Sequence, residues 1–306
     1  MSSPPLHVDL HGPPDAPPLV LVHGFGASNH SWRKWVPDLS RDHRLLLVEM
    51  MGFGRSATPE GGDYSPLAQA GHLVERLRHL RSPVAPVLVG HSLGAAVILL
   101  AALRLQDEGG GIPLRALVAV SGAVFPQRFP PYIGIARVAG AGEMLLALQP
   151  PAWAIRIGLR GIVHDPGTVD DEQVEGYRAP LASWERRRAI LRASRQILPA
   201  QGADLSVRYR EIEAPLLALS GAEDQVVSPS FARRLAETVR RGEYVLLPDV
   251  GHLPPEEAPE ASLRELRRFL ARVGPGPGPC PDGGPPHPFP DQGPEHPHPD
   301  PHRHAE

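Results

Sequence analysis

Short apolar runs at residues 18–23, 44–49, 86–90, 115–121, 215–220 and 243–247 limit what this chain can become more than any other feature. Each is too short for a buried helix and rich in Val and Leu, and Gly or Pro flanks most of them. Continuous rather than alternating hydrophobicity predicts strands covered on both faces, as in a parallel sheet. Helical patterns lie between them at residues 66–81, 92–106, 229–241 and 255–273. Alternation of this kind predicts a mostly parallel, doubly wound α/β sheet. It is interrupted at 124–203, an aromatic, Arg-rich stretch with Pro126, Pro130, Pro131, Pro150 and Pro151. The expected organisation is one core in two parts, 1–123 and 204–273, with a helical cap at 124–203. A cap inserted at the C-terminal ends of parallel strands would cover the crevice where such sheets bind ligands. Residues 274–306 are dominated by Pro, Gly, His and Asp, which predicts a disordered tail.

With 42% hydrophobic residues among 306, there is apolar material for one large core. A net charge of −3 lacks the basic footprint that nucleic acid or an anionic membrane would require. The longest apolar run, residues 95–103, is too short to span a bilayer. Cys280 is the single cysteine, so no internal disulfide can form. The first ten residues carry no secretory-signal pattern, and a cytoplasmic setting is expected. Five histidines of the tail, His287, His296, His298, His302 and His304, sit in a Pro-rich segment without fixed geometry, so neither metal nor organic cofactor is expected.

Chemistry concentrates at the ends of the predicted strands. Gly90-His91-Ser92-Leu93-Gly94 joins an apolar run directly to a helical one, the context of a nucleophile elbow. There Ser92 would stand at a helix N-terminus, whose field favours developing negative charge. His23-Gly24-Phe25-Gly26 closes the strand at 18–23 and can turn main-chain amides toward that serine. The expected oxyanion donors are the N–H groups of Phe25 and Leu93. His23 itself is expected to be a buried structural group. Asp224 follows the run at 215–220, and His252 follows the run at 243–247, so both reach the same sheet edge as Ser92. Glu223 and Asp249 compete with Asp224 as the acid of such a triad.

Together, HGFG (23–26), GFGRS (52–56), GHSLG (90–94), SGAEDQVVS (220–228) and Gly251-His252 make the chain from Pro18 to about Val273 resemble the α/β-hydrolase superfamily. The resemblance implies an eight-stranded sheet with a cap, and selects Ser92, Asp224 and His252 as catalytic. Only residues 6–10 are available for strands before Pro18. Glu49 stands where similar proteins usually carry Asp and is expected to be structural. A serine at the elbow disfavours dehalogenase and epoxide-hydrolase chemistry, which uses Asp in similar enzymes, and points to an acyl-enzyme. Related carbon–carbon bond hydrolases commonly carry an aromatic residue soon after the histidine, where this chain has Leu253-Pro254-Pro255. Carboxylic ester hydrolysis is the leading expectation. Lactone or thioester hydrolysis, carbon–carbon hydrolysis, acyl transfer and perhydrolysis remain open, as does a non-catalytic binding protein on the same fold. Phe125, Phe129, Tyr132, Trp153, Tyr177 and Trp184 suit either a pocket for an apolar acyl group or the cap's own core.

Overall fold

The computed structural model describes residues 6–109, 112–127, 147–197 and 205–274, together with 140, 142 and 144. The apolar runs form strands: β2 (Pro18–Val22), β3 (Arg44–Val48), β4 (Val87–His91), β5 (Ala116–Val120), β6 (Leu216–Gly221) and β7 (Gly242–Leu247). They follow β1 (Val8–His11), and the sheet order is β1-β3-β2-β4-β5-β6-β7. All pairings are parallel except β1 with β3. Among the described residues the sheet has seven strands rather than eight. The short stretch before Pro18 supplies β1 alone, which lies antiparallel on the edge.

Side chains alternate across the pleat, and both faces of the inner strands β2 to β6 are almost entirely buried, whereas the edge strands β1 and β7 are partly exposed. Leu19 and Leu21 of β2 join a core with Trp32, Trp35, Leu266 and Phe269, whereas Val20 and Val22 join another with Leu73, Leu77, Val97 and Ile98. Helices α1 (Val36–Leu39), α2 (Pro66–Arg78) and α3 (Leu93–Asp107) follow in chain order. Nearly every residue of α3 is buried, because it packs against the sheet and α2 at once.

Between β5 and β6 the described residues contain no strand and form α4 (Ala152–Arg160), α5 (Asp171–Arg178) and α6 (Trp184–Gln196). Asp170 caps α5 by accepting from the Gln173 N–H at 2.6 Å, with Asp171 and Glu172 in the first turn and Arg178 in the last. After β6 come α7 (Pro229–Thr238), α8 (Pro254–Glu257) and α9 (Pro259–Val273). The single helix expected over 255–273 is thus two. Pro259 disfavours helical geometry at the preceding residue, and Ala258 takes φ −135° and ψ 61°. Among the described residues no helix is long and apolar enough to cross a membrane. Of the tail expected over 274–306 only Gly274 is among the described residues; the rest, with Cys280 and its histidines, lies outside them, as do Phe129 and Tyr132.

Candidate active site

Ser92 stands between β4 and α3 with φ 52° and ψ −114°, a conformation that L-residues rarely adopt. Its backbone is held in place: the N–H donates to Val120 O at 2.9 Å, and the carbonyl accepts from Ala95 and Ala123 at 3.1 Å each. The turn can be this tight because a Cβ at Gly94 would collide with the carbonyl oxygens of Val22 and His23. Helix α3 therefore begins directly against the end of β2. Gly24 makes the other close approach; a Cβ there would lie 3.1 Å from the Cβ of Ser92. The main chain of the Gly24–Phe25 turn consequently runs beside the serine. Leu93 N–H is the first amide of α3 and has no intrahelical acceptor.

The turns after β6 and β7 bring Asp224 and His252 to the same edge. His252 Nε2 lies 3.1 Å from Ser92 Oγ, and His252 Nδ1 lies 2.9 and 3.1 Å from the two carboxylate oxygens of Asp224. A carboxylate only accepts, so Nδ1–H donates to it and Nε2 is left to accept the serine hydroxyl proton. All three side chains are buried, which strengthens each of these interactions. Asp224 Oδ1 also accepts from the amides of Val226 and Val227 at 2.9 Å. Burial alone would raise the Asp224 carboxyl, but the His252 ring and those two amides outweigh it and hold it below the ordinary carboxylate range. Glu223 and Asp249 are exposed and do not share this position.

His23 is fully buried; its Nδ1–H donates to Gly24 O at 2.8 Å while Nε2 accepts from Met50 N–H at 3.2 Å. Burial pushes its pKa down, so it is a neutral strut for the Gly24–Phe25 turn. Glu49 is buried too, and its carboxylate accepts from the amides of Asn29 and Arg55. It ties the loop after β2 to the 52–56 turn, a structural task. His91 was legible only as part of the pentapeptide. Its Nε2–H donates to the main-chain carbonyl of His252 at 2.8 Å, and the two rings lie 5.0 Å apart. Burial pushes the His91 pKa down to about 3. Among the described residues no three His, Cys, Asp or Glu side chains gather as a metal site would require.

A doubly wound sheet with a serine, a histidine and an aspartate converging at its C-terminal edge defines a class, and comparison identifies the family. The model of the alpha/beta hydrolase family matches residues 19–265, and the chain belongs to that family. It is 28% identical over 257 residues to the uncharacterized hydrolase YugF of Bacillus subtilis strain 168, covering 82% of this chain and 89% of that one. With the 2-hydroxy-6-oxo-2,4-heptadienoate hydrolase of a Pseudomonas putida strain it shares 27% identity over 272 residues, covering 87% and 93%. A thermophilic esterase from Thermogutta terrifontis superposes with a TM-score of 0.69 over 88% of this chain and 93% of that one, at 23% identity, a likeness of fold.

Proposed function

We propose that the chain is a serine hydrolase that cleaves carboxylic esters through an acyl-enzyme. The observation that carries this reading is the continuous relay from Ser92 Oγ through the His252 ring to Asp224. In the first half-reaction Ser92 Oγ attacks the ester carbonyl as His252 Nε2 takes its proton, and the oxyanion forms against the N–H groups of Phe25 and Leu93. The C–O bond then breaks, and the alcohol leaves with the proton from His252. In the second, His252 takes a proton from water, the resulting hydroxide attacks the acyl group, and the acid departs as Ser92 regains its proton. Asp224 keeps the imidazole in the tautomer that accepts at Nε2 and stabilises the imidazolium.

The segment 124–203 acts in this reading as a cap that shapes the pocket for an apolar acyl group on a small-molecule ester. The helices among its described residues and its position between β5 and β6 support this. A cytoplasmic setting belongs to the same reading, supported by the lone Cys280. Hydrolysis of a carbon–carbon bond in a vinylogous diketone is the second reading, favoured by the heptadienoate-hydrolase relative. The deciding experiment offers p-nitrophenyl esters of increasing acyl length, lactones and a 2-hydroxy-6-oxodienoate side by side. A fluorophosphonate probe read by intact mass accompanies it. Ester turnover with one adduct, absent from Ser92→Ala, is expected. Turnover of the dienoate alone would transfer the proposal to carbon–carbon hydrolysis, and an unlabelled, inactive wild type would leave only a binding role.

A further inference from the structure

Three consecutive amides around His252 are all engaged by groups outside the triad. His252 N–H donates to Ile162 O at 2.8 Å, in the stretch between α4 and α5. The amides on either side both donate to Glu257: Gly251 N–H to Oε2 at 2.9 Å, and Leu253 N–H to Oε1 at 2.8 Å. Glu257 Oε2 accepts a further bond, from His164 N–H at 2.7 Å. One carboxylate thus ties the histidine loop to the 162–164 stretch. Contact there is close, since a Cβ at Gly251 would stand 2.6 Å from His164 N and 2.8 Å from Ile162 O. The local bonds are made possible by α8, a single turn entered by Pro254 and Pro255, which brings Glu257 back to the loop it follows.

We propose that Glu257 is a positioning residue for His252, and that through it the seat of the 162–164 stretch sets how the imidazole meets Ser92. This rests on the triad reading above. Bonds from N–H to an ionised carboxylate are stronger than neutral ones, and only a carboxylate can accept on both oxygens at once. In Glu257→Gln one side would present an NH2 group to a donor. The neighbouring Glu256 has other partners, accepting from Tyr177 OH at 2.6 Å and from the Arg33 guanidinium, so it serves as a control in the same turn.

The test compares Glu257→Gln, Glu257→Ala and Glu256→Gln on p-nitrophenyl acetate, well below each protein's Tm. The downfield proton resonance of His252 Nδ1–H is followed by NMR. Both Glu257 variants should lose on the order of 10- to 100-fold in kcat, as small misplacements of reacting groups do, with KM changed by less than about three-fold. Their imidazole resonance should shift or broaden. Glu256→Gln should lower Tm while keeping kcat and the resonance. Unchanged kcat and resonance in folded Glu257→Gln, or an equal kcat loss in Glu256→Gln, would overturn the proposal. Should Glu257→Ala not fold, the Gln variant decides. A wild type without ester turnover would count against the hydrolase reading, whereas the resonance would still report on Glu257.

Discussion

Ser92, Asp224 and His252 were legible one by one because each follows a strand, so the fold class itself predicts where they meet. The same logic fails for His91, whose partner, the His252 carbonyl, is 161 residues away and engages through main chain rather than side chain. No residue type at position 252 would announce that bond. Ser92→Ala or His252→Ala should cost on the order of 10⁶ in kcat and Asp224→Asn roughly 10⁴, as in the subtilisin and trypsin precedents. The double variant at Ser92 and His252 should be little worse than either alone, since a base without a nucleophile has nothing to activate. Multiplying losses in single-turnover assays would sink the idea of one unit. The buried histidines also make stability depend on pH. His91 and His23 both have folded pKa values below the ordinary 6.5, so the unfolded chain binds their protons first on acidification. Stability should therefore fall as pH drops from about 6.5 toward the His91 value of about 3. Urea titrations across that window should show a shallower fall for His91→Gln than for the wild type, and parallel curves would assign the dependence to other groups.

At the level of elements, strand limits were readable to within a residue or two because most of the apolar runs give way to turns that contain Gly or Pro. Helix continuity was less readable. The pattern of 255–273 is periodic throughout, yet one Pro at 259 outweighs it by restricting Ala258, and the resulting break creates α8. The aromatic residues between β5 and β6 also divide in a way composition could not show. Phe125 is buried against Tyr209 and Phe231, and the hydroxyl of Tyr177 bonds Glu256, so these two belong to packing. Trp153 is 66% exposed and Trp184 is 40% exposed. Trp153→Ala should therefore change stability by no more than about 0.5 kcal/mol. If the cap selects the acyl group, the same substitution should alter relative kcat/KM across an ester series more than it alters the rate of Ser92 phosphonylation. Uniform slowing of every ester in a folded variant would remove this residue from selectivity.

Across the whole molecule, two apolar cores on opposite faces of one sheet hold the strand ends that carry the triad. That architecture was implied by continuous apolar runs, whereas the resemblance implied eight strands and the described residues show seven, the short stretch before Pro18 supplying β1. Helix α9 closes one core through Leu266 and Phe269, and its end is fastened where Arg115 donates to Leu270 O at 3.2 Å and to Gly274 O at 2.6 Å. Both acceptors lie before residue 275, so the anchoring of the last helix does not require the Pro- and His-rich residues that follow. Those residues also bring too little aliphatic surface to add to either core. A chain ending at Gly274 should accordingly keep its Tm within about 2 °C, which for a protein of this size corresponds to a change of under about 1 kcal/mol, and should keep its kcat/KM on p-nitrophenyl esters. Calorimetry and steady-state kinetics on the full and shortened chains test this together. A drop of ten degrees, or a several-fold loss of kcat/KM, would mean that residues 275–306 pack on the body and help to form the site.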